Sequence, residues 1–220
     1  MDRLMKPTLI VTMMAVLGAA GRASAGTIYN NENVFLLAAS TLQFESFEGL
    51  AASNTATAGF SRSLTAFTIS GSPNAGVLDL VNYLGTHATD GTKYIEVEGG
   101  GQQSLTFLFG APITEFAVMT TDYGDFTASP MTFVTNGGGS GNAVVGARPD
   151  GTDQFFGFID SANPFTSLTL TTAAGAVGDP FSVDRVRFSA TASVTAVPEP
   201  ASLLLLGTGV TAVVRRRIRG

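Results

Sequence analysis

The chain has no cysteine, no tryptophan and a single histidine, His87, in 220 residues. Without cysteine there is no disulfide framework and no thiol nucleophile, so the fold must stand on its core alone. One histidine excludes multi-histidine metal sites. It sits in Gly85-Thr86-His87-Ala88-Thr89, and no Gly-x-Ser-x-Gly elbow occurs, which leaves a Ser-His-Asp arrangement to geometry alone. Nothing matches the EF-hand spacing, and Gly99-Gly100-Gly101 lacks the strand-to-helix setting of a phosphate loop. No repeat of about 20–50 residues points to a solenoid or propeller. Basic residues are also scarce away from the ends. Residues 26–197 hold five against fifteen acidic, a net charge of −10, whereas the whole chain carries −5. Such a body is a poor partner for nucleic acid or an anionic membrane surface, and it suits divalent cations.

What is present is concentrated at the two ends. Arg3 and Lys6 precede an apolar run from Thr8 to Ala20, and Ala23-Ser24-Ala25 supplies small residues for cleavage. This pattern predicts a signal peptide over 1–25, cut by signal peptidase after Ala25, with an uncleaved anchor helix as the alternative. At the other end stand Pro198, Glu199 and Pro200, then an uncharged run from Ala201 to Val214, then Arg215, Arg216, Arg217 and Arg219. The prolines fix the backbone in an extended form and remove two donors. As a helix the fourteen uncharged residues span about 21 Å at ~1.5 Å per residue, short against a bilayer core of about 30 Å. Arg215, Arg216 and Arg217 act as a membrane stop, snorkelling to lengthen the span and predicting a cytoplasmic C-terminus. The alternative is a buried C-terminal helix, which four arginines in a charge-poor chain argue against.

Between the ends the pattern is β. Leu105, Phe107 and Phe109 alternate with Thr106 and Leu108. Phe116 and Val118, Met131 and Phe133, Phe156 and Phe158, and Leu168 and Leu170 repeat the alternation, with Gly, Pro, Asn and Asp between runs. Short runs of this kind predict an all-β sandwich or barrel in one domain. Asn33–Ala39 predicts one short helix, and the glycine-rich Asn136–Asn142 predicts a flexible loop. Phe181 and Val183 share one phase while Val186 and Phe188 share the other, so Asp184-Arg185 marks either a β-bulge or a strand buried on both faces. The organisation read is a signal peptide at 1–25, a β-sandwich at 26–190, a linker at 191–197 and a sorting or anchor segment at 198–220.

The Pro198-Glu199-Pro200 triplet, short hydrophobic run and basic end, together with the leader, resemble the PEP-CTERM sorting signal of Gram-negative bacteria. The resemblance implies recognition by an exosortase, a membrane transpeptidase-like protease acting at or near Pro198-Glu199-Pro200. It also implies export across the inner membrane and an association with extracellular polysaccharide and biofilm. In the body, Phe44-Glu45-Ser46-Phe47-Glu48-Gly49, Asp90-Gly91-Thr92-Lys93-Tyr94-Ile95, Phe155–Ile159, Pro164–Leu168 and Phe181–Phe188 are similar to exported jelly-roll domains found ahead of such tails. Arg185 stands where many of those relatives have Asn. This second resemblance implies a jelly-roll sandwich like those of carbohydrate-binding modules and lectins, with first and last strands side by side and a calcium ion between them.

Two candidate sites follow. Glu45, Glu48, Asp90 and Asp184 are the carboxylates for Ca²⁺, which takes six to eight oxygen ligands; the plain alternative makes Glu48-Gly49 and Asp90-Gly91 ordinary turns. Asp122, Tyr123 and Asp125 form a candidate ligand face, with Tyr123 and Phe126 stacking on a sugar ring, against the alternative of a solvated turn. The missing tryptophan weakens the stacking version. Two functions are read. The first is a non-enzymatic exported sandwich, with polysaccharide as its partner. The second is a hydrolase or lyase using paired carboxylates in a cleft.

Overall fold

The computed structural model describes residues 26–174 and 178–189. The predicted signal peptide with Ala23 and Ala25, the linker, and the tail with Pro198–Pro200 and Arg215–Arg217 lie outside the described residues. The chain divides into two units, 1–190 and 191–220, and only the first holds described residues. Among the described residues no helix is long and apolar enough to cross a membrane.

The body is all-β apart from one short helix. In chain order it runs β1 (Thr27–Tyr29), α1 (Glu32–Ala38), β2 (Leu42–Glu45), β3 (Thr57–Ala58), β4 (Ser61–Ser63), β5 (Phe67–Ser72) and β6 (Asn74–Leu78). It continues with β7 (Tyr94–Glu98), β8 (Ser104–Ile113), β9 (Glu115–Thr121), β10 (Met131–Thr135), β11 (Ser140–Val144), β12 (Asp153–Ile159), β13 (Phe165–Thr171) and β14 (Phe181–Ser189). One sheet has the order β1-β12-β9-β14-β7-β6-β3, with β2 also paired to β14; the other has the order β11-β10-β13-β8-β5-β4. The pairs are antiparallel throughout. The two sheets face each other as a sandwich.

The alternating positions of the sequence form the core. Leu105, Phe107 and Phe109 meet Phe116, Val118, Phe156 and Phe158 across the sandwich, joined by Met131, Phe133, Leu168 and Leu170. Ring pairs cross it at 4.8 Å for Phe107–Phe116 and 4.8 Å for Phe133–Phe156, inside the range where offset aromatic contact adds to area burial. In β14 both readings of the phase switch hold. Phe181, Val183, Val186 and Phe188 all enter the same core, Ser182 and Asp184 are buried on the opposite face, and the register against β9 shifts between Asp184 and Arg187. Arg185 at the bulge takes φ 54°, the left-handed region that Asn tolerates better.

Two details depart from expectation. The helix lies at Glu32–Ala38, started by Asn31, whose side chain accepts from the Val34 amide at 3.1 Å. Asn136–Asn142 is not a loose loop; it is the turn of the β10–β11 hairpin and the start of β11. Asn136 Oδ1 accepts from the Thr166 and Ser167 amides at 2.9 and 3.0 Å, and Gly139 sits so close to the Phe158 ring that a Cβ would lie 2.5 Å from it. Close packing, which composition does not reveal, fixes this stretch.

The outer face of the eight-stranded sheet is covered in two places. Phe35 of α1 packs on Tyr29 at 5.7 Å and Phe155 at 5.6 Å, over Gly157, whose missing Cβ makes room for the ring. The loop 79–93 crosses β7, β9 and β14. The His87 amide donates to Thr121 Oγ1 at 3.2 Å, and the Thr86 and Tyr94 side chains meet.

Candidate functional site

Asp184 and Glu48 hold the C-terminal end of that loop down. Asp184 Oδ2 accepts from the Thr89 and Asp90 amides at 2.8 and 2.7 Å, and its Oδ1 accepts from the Arg185 amide at 2.7 Å. Burial raises the Asp184 carboxyl above its ordinary value, with these amide bonds opposing the rise. Glu48 Oε1 accepts from the Thr92 and Lys93 amides at 2.8 and 2.7 Å, which hold that carboxyl below its ordinary value. Glu45 Oε1 takes the Phe47 amide at 2.7 Å. The implied neighbourhood of opening and closing strands is present, since β2 pairs with β14 from Val186↔Glu45 to Ser189↔Leu42. The four expected calcium ligands are nevertheless not gathered at one point. Among the described residues the one acidic group with metal-like spacing is Asp122, Asp125 and Asp150. Backbone amides occupy Glu45, Glu48 and Asp184, and Asp90 serves through its own amide.

Asp122, Tyr123 and Asp125 divide between roles. Tyr123 is fully buried, with its ring edge-on to Phe181 at 6.5 Å and its hydroxyl donating to the Ser129 carbonyl at 2.8 Å. It therefore offers no stacking surface, whereas Phe126 is 66 % exposed. The carboxylates tell a different story. β9 ends at Thr121, and its two neighbours β12 and β14 begin beside that point, at Asp153 and Phe181. The turns before them carry Asp150 and Asp179. Backbone bonds bring these loops together: Asp122 N to Thr152 O at 3.2 Å, Arg148 N to Gly124 O at 3.0 Å and Ala147 N to Thr127 O at 2.7 Å.

One carboxylate oxygen from each of Asp122, Asp125 and Asp150 lies within 4.8 Å of the others. Asp122 is fully buried at φ 73°, its Oδ1 accepting from the Gly151 amide at 2.8 Å. Asp179, also fully buried, accepts from the Gly124 amide at 3.2 Å and lies against Asp125. Burial pushes Asp122 up to about 7, the Gly151 amide opposing and Asp150 and Asp125 adding to the rise. Burial likewise pushes Asp179 up to about 7, with Asp125 beside it. Gly85 closes the back of the cluster at φ +89°, where any Cβ would overlap Asp122 Oδ1 and Asp150 Oδ1.

A cleft of about 250 Å³ opens next to this cluster on the same loop. Asn30, Asn142, Arg148, Asp153 and Phe155 are among the residues lining it. His87 stands at its edge with Nε2 3.0 Å from Asp153 Oδ1 and Nδ1 3.0 Å from the Gly85 carbonyl. The hydroxyls of Thr121 and Ser182 meet the His87 main chain. Sequence reasoning missed Asp150, Asp179 and Arg148. Arg148-Pro149-Asp150-Gly151 and Gly178-Asp179-Pro180 are turn signals before strands, but only the strand order shows that both turns flank β9.

Residues 196–219 match the PEP-CTERM protein-sorting motif. The match implies a chain exported and processed at the cell envelope. No curated protein matches the chain by sequence. The body is similar in fold to the K2 cleaved adhesin domain of Lys-gingipain, with 10 % identity, 68 % of this chain and 100 % of that one covered, and a TM-score of 0.45. It is also similar to a family 29 carbohydrate-binding module, with 11 % identity, 72 % and 99 % coverage and a TM-score of 0.38. A third likeness is to the family 11 carbohydrate-binding module from Clostridium thermocellum, bound in its structure to a mixed-linked tetrasaccharide. It has 13 % identity, 62 % and 95 % coverage and a TM-score of 0.34. What those proteins bind is a property of those proteins.

Proposed function

We propose that this is a non-enzymatic exported β-sandwich protein, delivered by an exosortase-type system to the envelope or extracellular matrix of a Gram-negative bacterium, where its body binds polysaccharide. The observation that carries the sorting is the match of residues 196–219 to the PEP-CTERM motif. Signal peptidase removes the leader, and the exosortase acts at Pro198-Glu199-Pro200.

The cleft supports the choice of ligand. Its amides Asn30 and Asn142, the Arg148 guanidinium and the Asp153 carboxylate offer donors and acceptors in both senses, as a polyhydroxylated chain requires, and Phe155 adds an apolar edge. Hydrolysis of a glycosidic bond needs two carboxylates facing each other across the scissile bond. Asp153 is the one carboxylate among the lining residues, which supports binding over cleavage.

Affinity electrophoresis through gels containing the host's matrix polysaccharide tests this. The protein is expected to be retarded. Arg148→Ala, which removes an exposed guanidinium and leaves the backbone bond to Gly124 intact, is expected to weaken binding about tenfold, or ~1.4 kcal/mol. Equal migration of both proteins with and without polysaccharide would count against the reading.

A further inference from the structure

We propose that Asp122, Asp125 and Asp150, backed by Asp179, form a divalent-cation site of the calcium class. The argument is geometric first. Oxygens that share one Ca²⁺ at about 2.3–2.6 Å can stand no more than roughly 5 Å apart. The three nearest carboxylate oxygens here all lie within 4.8 Å of one another. The donors are all oxygen, with no sulfur or ring nitrogen in the group, which suits a hard cation. Three carboxylates from irregular loops suit calcium's flexible shell better than the strict octahedron of magnesium.

The second observation is independent of the spacing. Asp122 and Asp179 are wholly buried, and Asp122 Oδ2 and Asp179 Oδ1 have no hydrogen-bond partner; nor does Asp125 Oδ1. Buried carboxylate oxygens are normally satisfied, because a bare one costs the full desolvation of the group. Among the described residues no Lys, Arg or His forms an ion pair with any of the four. Elsewhere such pairs do form: Glu32 takes both Arg185 at 2.7 Å and Arg187 at 2.9 Å. Asp125 is half-buried and Asp150 exposed, so the group opens to solvent on one side and an ion can enter. Gly85 keeps the floor clear by lacking a Cβ. Glu45, Glu48 and Asp184 stand outside this group, each with at least one carboxylate oxygen holding a backbone amide. The site stands independently of the polysaccharide reading, because its test involves no sugar.

The test uses the full chain, stripped with a chelator and titrated with CaCl₂ by calorimetry, with circular dichroism and thermal melting alongside. One Ca²⁺ per chain is expected, with a rise in Tm of several degrees at saturation. Asp125→Asn and Asp150→Asn are each expected to weaken binding at least tenfold with the β spectrum unchanged, while Asp90→Asn leaves it as in the parent. Asp150 is exposed, so its variant carries the test even where Asp122→Asn fails to fold. Absence of heat and of any Tm shift in millimolar CaCl₂ would overturn the proposal. So would undiminished binding by Asp125→Asn and Asp150→Asn, or loss of binding in Asp90→Asn alone.

Discussion

Phe116→Ala is expected to lower the unfolding free energy by about 3–5 kcal/mol. The ring is fully buried near the start of β9, the strand flanked by β12 and β14. It meets Phe107 at 4.8 Å, Phe109 at 6.1 Å and Phe156 at 6.3 Å, which ties both sheets together through one side chain. Truncation removes the transfer energy of the ring and leaves a hole that three rigid neighbours cannot collapse to fill. With no disulfide in the chain, nothing covalent limits the loss. Urea unfolding followed by circular dichroism measures it. Phe126→Ala, at a ring 66 % exposed, is the control, and its expected change is within about 0.5 kcal/mol. Equal effects at the two positions would contradict the sandwich core described above.

The second large effect concerns acidity. Glu96 is fully buried on the outer face of β7, with no cation paired to it among the described residues. Burial pushes its carboxyl up to about 8, with Glu98 and Asp122 adding to the rise and Thr86 opposing it. The ordinary value is 4.5. The folded protein therefore holds this proton more tightly than the unfolded chain does. The resulting stabilisation is complete below pH 4.5 and is lost as pH rises through 8. At ~1.4 kcal/mol per unit of difference, the loss across that window is on the order of 4 kcal/mol. Melting in chelator-containing buffers from pH 5 to 8 should show Tm falling with pH, and Glu96→Gln should flatten the slope. A profile rising with pH, or one unchanged by the substitution, would show that this carboxyl is ionised in the folded state.

Much of the fold was legible because large apolar residues mark the strands that fill the core. Phe107, Phe116, Phe133, Phe156 and Leu168 announce β8, β9, β10, β12 and β13, and the phase change at Asp184-Arg185 announces the bulge. β6 escapes this logic because small residues pack there by closeness: Ala75 meets Gly71, and Gly76 lies under the Thr55 carbonyl. The candidate site was half legible for a related reason. Asp122 and Asp125 stand out as a local cluster, but Asp150 and Asp179 join them only through the neighbours of β9. Burial also decided the role of Tyr123, and a sequence does not display burial. Nothing in the spacing of Glu48 and Asp184 shows that they accept backbone amides of the 79–93 loop, or that Glu45 accepts the Phe47 amide.

The sorting of the chain rests on its two ends, and one measurement addresses both. The protein is recovered from the culture of a host carrying an exosortase, and its intact mass is determined. The account expects the mass to lack Met1–Ala25 and the segment beyond Pro200. A mass that retains the run from Ala201 to Gly220 on released protein would contradict it.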